Sequence, residues 1–177
     1  IIFFQFNLKL NIKFNCITFV ILILSLNIFN DTSKMDLHSP YQNVSVKFNN
    51  NQLVPITVQS NNIWLQTPID LSNEINQQKN SAWHKFYIIP FTSTNYDFKD
   101  ILIVGSGTGN DVATAIRYSE GNIDAVEIDP LVANLGEKFH PENPYSNPRV
   151  NLIINDARNF IKEIDKKYDL IVYSVLD

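Results

Sequence analysis

The feature that most constrains the fold is an alternation of apolar runs with helix-like segments, which begins near residue 100 and continues to the last residue. Continuous apolar runs are typical of strands buried on both faces of a sheet. Four such runs occupy residues 101–105, 123–128, 149–154 and 168–176, with helical patterns between them at 111–121, 131–139 and 157–164. This alternation predicts a parallel sheet with right-handed crossovers. We therefore predict an incomplete α/β domain over residues 98–177, whose sheet stops after its fourth strand.

The first apolar run ends in the string GSGTGND, with Gly105, Gly107 and Gly109 at alternate positions. Glycines directly after a strand allow a tight turn into a helix and let a ligand approach the backbone closely. A dinucleotide fingerprint requires G-x-G-x-x-G, but Asn110 stands where its third glycine would fall, and no Lys-Ser or Lys-Thr pair follows to make a P-loop. Two possibilities stay open, a turn that binds another ligand and a tight turn without a ligand.

Carboxylates follow the second and third apolar runs, at the edge of the sheet where open α/β sheets bind ligands. Glu127 ends the second run, where a carboxylate can accept hydrogen bonds from both ribose hydroxyls. Asp129 is the rival, but its position before Pro130 predicts a helix cap. Asp156, followed by the small Ala157, can accept from an adenine amino group and leave room for the ring, or it can cap the next helix. With the glycine turn, these positions indicate an adenosyl group without a pyrophosphate.

Residues 38–92 show a different periodicity. Three short runs are rich in β-branched or aromatic residues and are separated by Asn-rich turns, at 43–48, 53–59 and 63–66. The segment 70–90 has helical character, and Pro90 is expected to end it. We predict a small antiparallel β element that leads into a helix.

Residues 1–30 are dominated by Ile, Phe and Leu. The stretch 14–29 is uncharged over 16 residues, whereas a helix that spans a bilayer needs roughly 20. We predict a hydrophobic, membrane-associated helix. One alternative is a signal-peptide core, for which Lys9 and Lys13 supply the basic end although no cleavage motif follows. The other is a buried helix or an artefact of a chain cut short.

Charge, cysteine content and chain ends set further bounds. The formal net charge of −4 argues against a nucleic-acid partner held through its phosphates. The single cysteine, Cys16, excludes an internal disulfide. The chain begins with Ile1 and ends at Asp177 directly after an apolar run, so we expect a piece of a longer protein.

The strings ILIVGSGTGND, AVEIDP, NPRVNLIINDARNF and KYDLIVYSVLD resemble the spermidine synthase-like (polyamine aminopropyltransferase-like) branch of class I S-adenosylmethionine-dependent transferases. Upstream, SPYQNVSV is similar to that family's SPYQ segment before a strand, and WHKFYIIPF to its Tyr-His helix. The resemblance covers residues 38–177 and implies a Rossmann-like, class I methyltransferase-type sheet. It is greatest to the branch in which membrane helices precede the transferase domain, which would account for residues 1–29.

Carried over by position, the resemblance implies that the nucleoside is contacted by Gln42, Glu127, Asp156 and Ala157, with Gly105, Gly107 and Gly109 under its tail. His84 matches the family's helix histidine. The implied co-substrate is S-adenosylmethionine or its decarboxylated form, without a metal, and the implied partner is a small-molecule acceptor. The implied location is the membrane, with the catalytic domain in the cytoplasm, although the lysines around residues 1–29 do not fix the orientation.

The chain departs from the family at two acidic positions that hold and deprotonate a diamine. Thr108 replaces the Asp of the glycine turn, and Ser174 replaces the catalytic Asp of the fourth-strand motif, of which only the final residue, Asp177, remains. Asp177 is therefore the predicted catalytic residue, and Asp111 is the other candidate to replace the lost carboxylates. The predicted function is aminopropyl transfer to an undetermined amine. The alternatives are methyl transfer and a nucleoside-binding membrane protein without catalysis.

Overall fold

The computed structural model describes residues 33–174, and the first part of this range forms a four-stranded antiparallel sheet. Its strands, in spatial and chain order, are β1 (Lys34–His38), β2 (Asn43–Phe48), β3 (Ile56–Ser60) and β4 (Ile63–Gln66). Asn61 and Asn62 connect the last two strands with positive φ angles of 49° and 65°, which match the right-handed twist of a hairpin. Two helices follow, α1 (Glu74–Lys79) and α2 (Ser81–Thr92).

A second, parallel sheet follows, with the strand order β7-β6-β5-β8. Its strands are β5 (Asp100–Val104), β6 (Asn122–Glu127), β7 (Val150–Ile154) and β8 (Leu170–Tyr173). They are connected by α3 (Asn110–Tyr118), α4 (Pro130–Phe139) and α5 (Ala157–Glu163), and a single 3-10 turn, Pro144–Ser146, precedes β7. The chain moves outward from β5 to β7 and then returns to place β8 on the other side of β5. This reversal of direction at β5 is where open α/β sheets bind their ligands.

Apolar side chains hold the two sheets in place. Ile101 and Ile103 of β5 are fully buried and belong to a core cluster that also includes Val112 of α3. The antiparallel sheet buries a separate set of aliphatic residues against Leu135 of α4, namely Val44, Val46, Ile56 and Val58. Because α4 starts at the carboxyl end of β6, this packing brings the antiparallel sheet to the carboxyl edge of the parallel one.

The predicted α/β class, with a parallel sheet behind a small antiparallel element, is confirmed, but two local features differ. Strand β1 was not predicted, although Met35 and Leu37 alternate with exposed Lys34, Asp36 and His38. Helix α2 was expected to end at Pro90 but continues to Thr92, because a proline removes only its own amide and Ser93 N still donates to Ile89 O at 3.1 Å. The division into domains at 38–92 and 98–177 stays a prediction.

The predicted hydrophobic helix at residues 1–30 lies outside the described residues. Across residues 33–174, no helix combines the length and the apolar character needed to cross a bilayer. The longest, α2, has 12 residues, whereas a span needs about 20. The predicted membrane-associated location is therefore wrong for the described part of the chain.

Candidate functional site

The glycine turn, residues 105–109, links β5 to α3 at the point where the strand order reverses. Gly105, Gly107 and Gly109 have φ angles of 72°, 56° and 103°, in the left-handed region that other residues adopt at a cost. The alternating glycines therefore serve the backbone conformation itself. Gly109 is also the N-cap of α3, and a methyl group at this position would lie 2.8 Å from Pro144 Cγ.

Every backbone amide of the glycine turn donates a hydrogen bond within the protein. Gly105 N and Ser106 N both donate to Val126 O, at 2.9 and 3.0 Å, and Gly109 N donates to Ser106 O at 2.9 Å. The two central amides donate to side chains: Gly107 N to Glu127 Oε2 at 2.8 Å, and Thr108 N to Gln66 Oε1 at 2.7 Å. Turns that bind phosphate present free amides to it. This turn presents none at residues 105–109, so it is unsuited to a pyrophosphate.

Glu127, at the carboxyl end of β6, is buried beneath this turn. Its Oε2 accepts from Gly107 N, and its Oε1 accepts from Asp129 N at 2.9 Å. Burial raises the pKa of the Glu127 carboxyl, while the two backbone hydrogen bonds oppose that rise. Each carboxylate oxygen has a further lone pair that can accept from a ligand hydroxyl.

Asp129, the rival carboxylate, is committed to structural contacts. It caps α4 by accepting from Leu131 N at 2.9 Å, as its position before Pro130 predicted. Its other oxygen accepts from Ser39 Oγ at 2.7 Å and from Gln42 Nε2 at 3.0 Å. Gln42 is thereby fixed beside the end of β6, while its side-chain oxygen, Oε1, accepts no hydrogen bond from residues 33–174.

Asp156 and Ala157 line a cavity of about 470 Å³ that also reaches Gly105 and Tyr173. Asp156 caps α5 by accepting from Arg158 N at 2.8 Å, and it forms an ion pair with the Arg158 guanidinium, also at 2.8 Å. These hydrogen bonds hold the pKa of the Asp156 carboxyl at about 2. Its predicted role as a helix cap is present, and its contact with an adenine ring stays a prediction.

Asp111, in the first turn of α3, meets Ser174, which directly follows β8. Ser174 Oγ donates to Asp111 Oδ2 at 2.6 Å. Thr108 is fully buried, and its hydroxyl oxygen has no hydrogen-bond partner among residues 33–174. The structure thus brings Thr108 and Asp111 to the carboxyl edge, as predicted from the chain order, whereas Asp177 lies outside the described residues.

His84 is the predicted site residue that does not join the others. Its Nε2 hydrogen-bonds to Tyr118 OH at 2.9 Å. Tyr118 is the last residue of α3, about 12 Å along the helix from its first residue at the glycine turn. The expected contact between His84 and substrate stays a prediction. The α2 side chain that reaches the turn is instead Tyr87, whose hydroxyl accepts from Asn110 Nδ2 at 2.9 Å.

Three further residues shape the turn and were not identified from the sequence. Gln66 crosses from β4 to Thr108 N, and Tyr145 donates to Gly107 O at 2.7 Å. Asn110 donates to Thr67 O and Tyr87 and accepts from Ile69 N and His140, all within 3.1 Å. These contacts join residues 23 to 43 positions apart. The sequence feature that could have indicated these contacts is Asn110, which stands where a dinucleotide fingerprint has its third glycine. A buried side-chain amide there requires several hydrogen-bond partners.

Gly136 of α4 packs directly against this turn, and its replacement tests how closely. A methyl group at Gly136 would lie 2.6 Å from Thr108 O. We expect Gly136→Ala to lower the free energy of unfolding by up to about 2 kcal/mol, because an overpacking cost of about 1–3 kcal/mol is only partly offset by a helix-propensity gain of about 1 kcal/mol. Urea titration measures this, with exposed Glu137→Ala on the same helix as a control that should change little. A more stable Gly136→Ala protein would contradict the close packing.

No group of three or more His, Cys, Asp or Glu side chains within residues 33–174 is arranged to hold a metal ion.

A family model, the spermine/spermidine synthase domain, matches residues 88–177. The chain is 31% identical over 106 residues to a polyamine aminopropyltransferase from Clostridium perfringens, covering 58% of this chain and 38% of that protein. It is 40% identical over 83 residues to one from Buchnera aphidicola, covering 45% and 29%. The chain thus spans less than half the length of these relatives. The predicted spermidine synthase-like relationship is confirmed, while its finer assignment to a branch with membrane helices has no support in these matches.

Solved structures give the same fold. A spermidine synthase from Thermotoga maritima superimposes with a TM-score of 0.63 at 16% identity, covering 81% of this chain and 46% of that one. A probable spermidine synthase from Corynebacterium glutamicum gives 0.56 at 17% identity, covering 80% and 51%. At these identities the likeness establishes the Rossmann-like architecture alone.

Proposed function

Because the chain belongs to the spermine/spermidine synthase domain family, we propose that it binds an S-adenosyl-type nucleoside and transfers an aminopropyl group from it to a small amine. The proposed donor is decarboxylated S-adenosylmethionine. The relatives above are named polyamine aminopropyltransferases, and the glycine turn of this chain lies within the matched residues.

The observation that carries the proposal is the internal bonding of the glycine-turn amides. A dinucleotide places its pyrophosphate on free amides at this position in the sheet, and here all five are bonded within the protein. Decarboxylated S-adenosylmethionine, whose tail carries a sulfonium and an amine, has no anion to place there. The turn geometry therefore supports a sulfonium nucleoside over NAD.

Three contacts are proposed for the nucleoside. Glu127, already held in position by two backbone amides, would accept from the ribose hydroxyls through its remaining lone pairs. The cavity lined by Asp156 and Ala157 would take the adenine ring, with Asp156 accepting from its amino group. Gln42, fixed by Asp129, would accept a hydrogen bond from the nucleoside through its side-chain oxygen, Oε1. The propyl-bearing sulfur would then lie over Gly105 and Gly107, with its alkyl group toward β8.

Calorimetric binding of four compounds tests the proposal: decarboxylated S-adenosylmethionine, S-adenosylmethionine, methylthioadenosine and NAD. We expect binding of the three sulfur nucleosides and little or none of NAD, because NAD would leave its pyrophosphate without donors. Tight binding of NAD alone would overturn the proposal. Methyl transfer from S-adenosylmethionine, with no transfer from its decarboxylated form, would establish the alternative reaction.

Glu127→Ala should weaken binding of methylthioadenosine by about 1.5–3 kcal/mol, the usual range for hydrogen bonds to a charged group. Asp129→Ala is the matched control, because it removes the neighbouring carboxylate while leaving Glu127 in place. It should lower stability through the loss of the α4 cap, by about 1 kcal/mol. It should weaken methylthioadenosine binding less than Glu127→Ala does, because it only releases the side chain of Gln42. A loss of binding in Asp129→Ala with none in Glu127→Ala would assign the ribose contact to Asp129 and contradict the proposed role of Glu127.

A further inference from the structure

The carboxylate of Asp111 makes contacts that have no role in the proposed binding of the nucleoside. Asp111 lies in the first turn of α3 and is 5% exposed. Ser174 provides its side-chain hydrogen bond, and no ion pair involves Asp111 among residues 33–174. A buried carboxylate without a cation is costly to keep ionised. Burial accordingly raises the pKa of the Asp111 carboxyl, against the opposing effect of the Ser174 hydrogen bond.

Within residues 33–174, the groups that interact with Asp111 are hydroxyls, and no cation contributes to the shift of its pKa. Tyr87 of α2 and Tyr145 of the 3-10 turn both lie within electrostatic reach of Asp111, and the pKa of each is raised, chiefly by burial. Neither phenol supplies a positive charge at neutral pH. The carboxylate is thus poised to take a proton or a cationic partner that arrives from outside the protein.

Ser174 connects this carboxylate to the crevice. It follows β8, its backbone N donates to Val104 O at 3.0 Å, and it is partly exposed while Asp111 is buried. Its hydroxyl proton points to Asp111 Oδ2, which leaves the oxygen lone pairs free to accept a hydrogen bond from a ligand. Val104 directly precedes Gly105, so the hydroxyl lies beside the position proposed for the transferred alkyl group.

We propose that Asp111 and Ser174 form the proton-accepting pair for the attacking amine, with Ser174 touching the amine and Asp111 receiving the proton. This inference rests on the proposed function, since it requires an alkyl donor over the glycine turn.

The step balances within the groups named. The neutral amine attacks the propyl carbon next to sulfur, a C–N bond forms, and the C–S bond breaks with its electron pair on sulfur, leaving neutral methylthioadenosine. The resulting secondary ammonium gives a proton to Ser174 Oγ as the serine proton passes to Asp111 Oδ2. Asp111 later releases that proton to solvent. No oxidant, reductant or metal takes part in this balance.

Variants at the two positions test the pair by aminopropyl transfer from decarboxylated S-adenosylmethionine to putrescine and to spermidine. We expect Asp111→Asn to lower kcat by about 10²–10⁴-fold, with methylthioadenosine binding retained. The acid limb of the kcat/KM pH profile should also disappear. Ser174→Ala should give a smaller loss. The double variant Asp111→Asn with Ser174→Asp moves the carboxylate across one hydrogen bond, and it should restore activity and the acid limb relative to Asp111→Asn.

Asp124→Asn is the matched control, since it also removes a buried carboxylate but lies on β6 among Lys166, Tyr168 and Asn151. It should reduce stability without changing the pH profile. An Asp111→Asn protein with wild-type turnover and an unchanged acid limb overturns the inference. So does a wild-type protein that binds methylthioadenosine but transfers to neither amine. Failure of the wild type to bind any sulfur nucleoside instead refutes the proposed function itself.

Discussion

Replacing Arg117 with methionine is expected to lower the free energy of unfolding by about 3 kcal/mol, because it leaves the carboxylate of Glu142 buried without its cation. The Arg117 guanidinium donates to Glu142 Oε2, and the two side chains are only 17% and 12% exposed. Glu142 Oε1 accepts from Leu71 N at 2.8 Å. The pair therefore ties α3 to the segment that leads from the antiparallel sheet into α1. Chemical denaturation of the two proteins at pH 7.5 measures the difference.

A double variant separates the loss of attraction from the burden of the unpaired charge. Glu142→Gln keeps an oxygen for Leu71 N but removes the negative charge. In the Arg117→Met background it should therefore recover most of the lost stability. Arg117 Nε is buried without a hydrogen-bond partner in residues 33–174, so the arginine is itself imperfectly satisfied. If Arg117→Met alone is as stable as the wild type, the pair contributes nothing and the expected effect is absent.

Local sequence patterns predicted the strands of the parallel sheet, the glycine turn and the cap of α4. The apolar runs became β5 to β8. Such continuity is typical of strands buried on both faces, as β5 and β6 are, whereas β7 and β8 leave Ile154, Ile171 and Tyr173 exposed. Gly105, Gly107 and Gly109 predicted a tight turn because positive φ angles favour glycine. Asp129 before Pro130 predicted a cap because that pair satisfies the first amides of a helix.

The partners of the turn could not be predicted, because they come from distant parts of the chain. Gln66 bonds to Thr108 N across 42 positions, and its residue type gives no sign of this. The same limit applies to the contacts of His84, which was assigned to the site from the resemblance alone. His84 and Tyr87 are three residues apart and lie on one face of α2. The packing of that face along α3 decided that Tyr87 contacts Asn110 while His84 contacts Tyr118.

The missing acidic residues illustrate a further limit. Thr108 and Ser174 indicated a site short of carboxylates because the chain was read position by position. In the structure, Asp111 places a carboxylate oxygen 2.6 Å from Ser174 Oγ. A charge can thus be supplied from a different element to nearly the same point in space. The sequence offered Asp111 as a candidate to replace the lost carboxylates, but only the placement of α3 beside β8 shows that it reaches Ser174.

Acidification is expected to destabilise the protein through His140 between about pH 6.5 and pH 3. His140 is 5% exposed; its Nε2 donates to Asn110 Oδ1 at 3.1 Å, and its Nδ1 accepts from Glu142 N at 3.1 Å. Burial, with a further contribution from Arg117, lowers the pKa of His140 to about 3, although Asp70 acts in the opposite direction. The folded protein therefore holds this imidazole neutral, with a fixed tautomer, at the centre of the contacts that position Asn110.

The sign of the effect follows from proton uptake. Above pH 6.5, His140 is neutral in both the folded and unfolded states, and its contribution to stability is fully present. Below pH 6.5 the unfolded chain binds a proton that the folded chain does not, so stability falls by about 1.4 kcal/mol per pH unit until the folded pKa is reached.

The measurement is the free energy of unfolding from denaturant titrations at pH 7.5, 6.0, 5.0 and 4.0. The comparison with His140→Gln isolates this residue from the carboxylates that titrate in the same range. At pH 7.5 the two proteins should differ only by the lost contacts. Toward pH 4 the difference should shrink and reverse, since glutamine takes up no proton. Parallel curves for the two proteins would mean that the folded state also protonates His140.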